Sequence, residues 1–156
     1  MLVKYPTSHP YYERVKQRPL ALAVVSVAQC LGIDAEDLAG IEATSDVVLN
    51  EHDTPLFEIG KVTFGTLALN LLIYHEANPF NAYAPVEFLL ECEAEWSVLV
   101  HIHTPKKVQC DVVSFFKVAD LKPFRDAHGN VVALIKNLDD SACACYSVSR
   151  FCSEIL

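Results

Sequence analysis

The strongest constraint on what this chain can fold into is the apolar alternation between Val86 and Val118. From Val108 onwards, Val108, Cys110, Val112 and Phe116 fall in one register, and Gln109, Asp111 and Lys117 in the other. A period of two gives each register its own face of a pleated strand. Val86, Phe88, Leu90 and Cys92 repeat the pattern against Glu87, Glu91 and Glu93. Val98, Val100 and Ile102 stand against Leu99, His101 and His103. Thr104-Pro105-Lys106-Lys107 closes the middle run, since proline removes a ladder donor and favours a turn. Three consecutive strands are therefore expected here.

Upstream the pattern changes. Residues 1–18 read as an arm, because Tyr5-Pro6 and His9-Pro10 disfavour helix before each proline. Leu20 to Leu31 is apolar almost all round and predicts a buried helix, with Pro19 at its first turn and Gly32 as its stop. Asp34 is placed to cap a second, short helix, AEDLAGIEA. Ser45–Asn50 and Leu56–Ile59 predict a short hairpin around His52-Asp53-Thr54-Pro55. Phe64, Leu67, Leu71 and Tyr74 recur at three and four, which predicts a helix over Phe64–Ala77 ended by Asn78-Pro79. Pro79 to Pro85 reads as a loop. Downstream, Phe124 to Val131 carries hairpin chemistry, Val131–Leu138 a strand, and Cys145–Phe151 a last alternating strand. The expected class is α+β, with a curved antiparallel sheet of four to six strands packed against N-terminal helices. A cone-shaped α+β barrel results, whose mouth can hold a ligand. One domain is expected, with an arm (1–18), a core (19–141) and an extension or last strand (142–156).

Bulk properties narrow the function classes. The chain has 156 residues, 52% of them hydrophobic, and a formal net charge of −8. That charge argues against nucleic acid and anionic membrane as partners, because both select basic patches. No apolar run approaches the ~20 residues of a membrane span. A cytoplasmic location is expected, with the six cysteines as structural thiols, since no C-x-x-C unit pairs them. SVAQCLGIDAEDLAG has helix-turn-helix spacing. Its second helix, however, carries Asp34, Glu36, Asp37 and Glu42 without Lys or Arg, which is wrong for a recognition helix.

Three stretches together resemble the nuclear-transport-factor-2-like superfamily, in particular its SnoaL-like polyketide cyclase and ketosteroid isomerase group. SDVVLNEHDTPLFEIGKVTFGTLALNLL resembles the family's first hairpin, a glycine and its third helix. WSVLVHIHTPKKVQCDVVSFFKV resembles its long central strands, and FRDAHGNVVALIKNLDD its closing strand, turn, strand and trailing acid. The resemblance covers roughly residues 19 to 141. It implies a small apolar molecule held inside a cone, and a homodimer; no cofactor and no metal are expected. In its catalytic members it implies a carboxylate base and an acid pair that donates to a developing oxyanion. Asp46 stands near the position of a first-strand acid. The chain departs from the family in that Leu20–Leu31 holds no tyrosine to act as the helix-borne donor.

Four residues are candidates for chemistry. His101 and His103, two apart on a strand, are expected to share a face and could act as acid and base. A metal there would need a third ligand from His75, Glu76 or Cys110, and the following Lys106 and Lys107 suggest an exposed face instead. Asp46 and His52 lie at a strand edge and in a turn where a cone would open. Tyr74, Tyr83, Trp96 and Phe116 are the expected pocket lining. Cys143-x-Cys145 lacks a matching pair and reads as packing. The leading expectation is a small-molecule-binding protein, in its catalytic form a cofactor-free isomerase, cyclase or hydrolase. The alternative is a non-catalytic acidic interaction or inhibitor protein, suggested by Glu87, Glu91, Glu93 and Glu95.

Overall fold

The helix that opens the core forms where the sequence places it. It runs from Pro19 to Cys30 (α1), and Leu22 through Ala28 are all buried. Its end is a Schellman cap. Gly32 turns left-handed at φ 75°, Ile33 N–H donates to Ala28 O at 2.9 Å and Gly32 N–H to Gln29 O at 3.2 Å. Only a residue without Cβ adopts that φ without cost.

The structure is a computed structural model that describes residues 2–4, 19–34, 44–49, 55–74, 83–91, 94–104, 109–127, 129, 131–134 and 145–156. The strands are β1 (Leu2–Lys4), β2 (Thr44–Leu49), β3 (Pro55–Phe64), β4 (Leu67–Tyr74), β5 (Tyr83–Pro85), β6 (Trp96–Thr104), β7 (Gln109–Phe116), β8 (Phe124–Arg125), β9 (Val131–Leu134) and β10 (Cys145–Tyr146). Two more helices follow, α2 (Val86–Glu91) and α3 (Val148–Glu154), with a 3-10 turn at Val118–Asp120. Seven strands form one sheet in the order β1-β7-β6-β4-β3-β2, with β10 also on β7. The strands β5-β9-β8 form a second, smaller sheet. The described pairings leave the main sheet open, as nothing joins β2 to the β7 side.

The main sheet has two dry faces. On the front, α1 and α3 cover Val62, Leu69, Leu71, Ile73, Val98, Val100, Val112 and Phe115. On the back, Ile59, Leu72, Tyr74, Leu99 and Phe116 meet Val86 and Leu89 of α2, Leu121, and Ala133 of β9. Aromatic contact seats α3. Phe151 stacks on Phe115 at 4.0 Å between centroids, and meets Trp96 edge-on at 5.1 Å. Ser147 caps the helix, its Oγ accepting from Arg150 N–H at 3.2 Å.

Several expectations are corrected by this architecture. Phe64–Ala77 is not a helix. Its described part is a β-hairpin in which Phe64 pairs with Leu67 around Gly65-Thr66, Gly65 having φ 61°, as primed two-residue turns require. The helical spacing was an accident of β4 being buried on both faces, which erases alternation. β3 likewise runs on through Gly60 instead of stopping there. Val86–Glu91 is a helix, not a strand. Val86 and Leu89 are buried three apart while Glu87 is exposed, so a short run that satisfied period two also satisfied 3.6. The sheet is mixed and has seven strands, because β4 and β6 pair in parallel. A parallel pair needs a long crossover, here the segment that carries β5 and α2. Cys145–Phe151 is a two-residue strand followed by α3. The arm contributes β1, which pairs with Gln109–Asp111. The expected second helix, past Asp34, lies outside the described residues. No described helix is long and apolar enough to cross a membrane.

Two substitutions test this fold. Phe151→Ala should lower unfolding free energy by about 3–5 kcal/mol in urea titration, through lost stacking and the cavity beneath α3. Gly65→Val should cost about 1–2 kcal/mol from backbone strain alone, since a Cβ there meets nothing within 4 Å.

Candidate functional site

One row of residues crosses the whole main sheet. Val48 pairs with Phe57, Phe57 with Tyr74, Tyr74 with His101, His101 with Asp111, and Asp111 with Leu2. The β2–β3 and β6–β7 pairings break near this row, while β3–β4 and β4–β6 run through it in register. Pro55 follows Phe57 in the pairing with β2, so Leu56 is an extra residue. Thr104 follows Ile102 opposite consecutive partners, so His103 is extra. Val100 and Leu99 face Val112 and Ser114, so Val113 is extra. Such bulges bend a strand, sharpen its twist and re-aim side chains.

His101 is the buried side chain with most chemistry in this row. It is only 5% exposed, and among the described residues the other buried polar side chains are Ser26, Asn70, Ser97 and Ser114. Its ring lies 5.8 Å from that of Tyr74, tilted by 53°. Asp111, directly across from it on β7, is half-buried. Opposed residues in an antiparallel pair have Cβ atoms about 4.5–5.5 Å apart, so a carboxylate stands within side-chain reach of the imidazole. Tyr74, His101 and Asp111 each engage an interaction partner. A buried imidazole beside a carboxylate can hold a fixed tautomer and donate or accept a proton.

The other expected residues are scattered. Trp96 sits on the front face, where it meets Tyr146 edge-on at 5.2 Å and carries the Lys117 ammonium 5.0 Å above its ring. Lys117 also pairs with Glu95 at 3.0 Å. Phe116 lies in the back core with Tyr74, so the four expected lining residues do not share one surface. Tyr83 pairs with Leu134 in the small sheet, and Asp46 pairs with Ile59 on β2. Beyond those backbone positions their side chains lie outside the described residues, as does the side chain of His103. His52 lies outside them altogether. His103 is the extra residue of its bulge, and the expectation that it shares a face with His101 rests on a side chain outside the described residues. No group of three or more His, Cys, Asp or Glu suited to a metal occurs among the described residues.

Sequence reasoning missed two features. Asn70 is fully buried on β4. Its amide donates to Ala94 O at 3.2 Å and to Ser97 Oγ at 3.3 Å, while its Oδ1 has no partner. A polar residue inside an otherwise apolar strand run was the available signal. The second feature is a group of thiols beneath and beside α1. Burial pushes Cys110 up to about 12 and Cys30 up to about 11. Ser26 Oγ favours the Cys110 thiolate slightly. It makes no well-formed hydrogen bond there, so burial dominates. Cys152 donates its S–H to Cys30 O at 3.7 Å, supplying a donor to a carbonyl at the end of α1.

Comparison with family models, with curated proteins and with solved structures finds no match.

The thiols make stability depend on pH. Their folded values lie above the ordinary 9.0, so the unfolded chain loses these protons first as pH rises. The contribution is intact below about pH 9 and is lost as pH climbs through the folded values. Urea midpoints should fall between about pH 8 and about pH 11. Cys110→Ala should lower the midpoint at pH 8 but flatten that fall; an unchanged slope would show that other groups carry it.

Proposed function

We propose that the His101 end of the main sheet binds a small, largely apolar molecule, with His101 as its proton donor or acceptor and Asp111 holding the imidazole. The observation that carries this is the buried His101 between Tyr74 and Asp111, in a row flanked by strand bulges at Leu56, His103 and Val113. Buried titratable groups with a charged neighbour concentrate at functional sites. Bulges do so as well. In its catalytic form the site would run isomerase, cyclase or hydrolase chemistry, in which a proton moves to or from the ligand without a cofactor.

A curved sheet that cups a ligand, as in the nuclear-transport-factor-2-like proteins, belongs to this proposal, and so does pairing into a homodimer. The bulges support the curvature, whereas the stretch compared with that family's third helix folds as the β3–β4 hairpin. A reducing compartment such as the cytoplasm fits Cys30, Cys110, Cys145 and Cys152 as thiols outside any disulfide.

The experiment is a thermal-shift screen of small apolar alcohols, ketones and esters against the wild-type chain and His101→Gln. A stabilising ligand should bind His101→Gln and Asp111→Asn at least about tenfold more weakly, a loss of roughly 1.4 kcal/mol. Equal binding to the variants, or a hit that leaves the His101 NMR signals unmoved, would overturn the assignment. A screen without hits, together with capture of a basic protein that Glu87→Lys abolishes, would favour the acidic interaction protein instead.

A further inference from the structure

We infer that Cys30 and Cys152 form a redox-responsive dithiol, which a peroxide closes to a disulfide that fastens α3 to the end of α1. Four cysteines are described, and Cys110 and Cys145 are buried while Cys30 and Cys152 are half-exposed. Among the described residues, the two thiols that solvent can reach are therefore the two that lie together. Cys152 Sγ already rests 3.7 Å from the backbone oxygen of Cys30, across 122 positions of sequence. That contact sets the Cys152 sulfur against the Cys30 backbone, and closure needs the two Cα atoms within about 7 Å and side-chain rotation that brings sulfur to sulfur.

The raised Cys30 thiol assigns the roles. The Cys30 thiol is held up at about 11, by burial first and with Cys152 adding to it, so it stays protonated at neutral pH and reacts second. Cys152 as thiolate attacks a peroxide oxygen. The O–O bond breaks, Cys152 becomes a sulfenic acid, and the hydroxide that leaves takes up the proton Cys152 gave up on ionising, giving water. Cys30 sulfur then attacks the sulfenic sulfur, and the S–S bond forms as the S–O bond breaks. The released hydroxide takes up the Cys30 proton, giving water. The two sulfurs lose two electrons in total, and the peroxide is reduced to two waters (one water and an alcohol for an alkyl peroxide). The link also removes the S–H donor to Cys30 O, so the end of α1 exchanges a hydrogen bond for a covalent tie.

The test treats the full chain with a slight excess of hydrogen peroxide, alkylates the remaining thiols in denaturant and maps the peptides. The expected product is a Cys30–Cys152 linked peptide on a chain lighter by about 2 Da. Its melting temperature should rise by roughly 5–10 °C and return on reduction with dithiothreitol. Cys152→Ser keeps a hydroxyl donor beside Cys30 O and should fold, yet give neither the link nor the shift. Separate alkylation of both cysteines, a Cys152 sulfinic acid without a link, or a link to another cysteine would each overturn the inference. The wild-type map decides the matter even where the variant fails to fold.

Discussion

The parallel pairing of β4 with β6 is the contact on which the other elements depend. Both strands are buried on both faces, from Leu69 to Tyr74 and from Trp96 to Ile102. Two adjacent strands without a wet side need a layer above and a layer below. The chain supplies them from different places. α1 and α3 come from its two ends and roof the front, while α2, the 3-10 turn and the small sheet close the back. Glu87 joins two of these back elements by accepting from Val131 N–H at 3.4 Å.

That arrangement explains which parts of the fold were legible in the sequence. α1 was readable because its apolar run is long, starts at a proline and ends at a glycine that adopts the left-handed conformation. β6 and β7 were readable from one alternating apolar register each, Val98, Val100 and Ile102 in β6 and Cys110 and Val112 in β7, and the β8–β9 hairpin from its turn residues. β4 was misread because burial on both sides leaves LALNLLIY with no polar register to reveal its period. VEFLLE was misread because six residues fit either period, and its context after Pro85 decided for helix. Strand order was not legible at all, since nothing local in Leu67–Tyr74 says that its second neighbour lies beyond a crossover.

The candidate site shows the same division. His101 was visible as a histidine on a strand, but the lysines that follow it suggested an exposed face, and its burial beside Tyr74 was not legible. Asp111 was visible only as an outward residue of the next strand. Its partnership with His101 is a matter of register, which the bulge at Val113 sets and no local pattern announces. Trp96 was grouped with Tyr74 for size. One position of strand parity separates the two faces, and Trp96 instead anchors α3 with Phe151 and Tyr146. Asn70 spends a fully buried amide on Ala94 and Ser97, which pins the entry of β6 against β4.

The outer side of β7 is sealed by segments from opposite ends of the sequence. β1 binds it at Gln109–Asp111, and β10 at Phe115–Phe116. Neither closure is local, and β1 must find a partner more than a hundred positions away, as Leu2 does in Asp111. Loop-closure entropy makes such pairings late events in folding, on the slow end of the rates that chain topology sets. Until they occur, β7 offers an unoccupied hydrogen-bonding rim to any neighbouring molecule. Refolding yield in this protein should therefore be governed by concentration during the last steps of assembly, when the core is already formed but its flank is still unsewn.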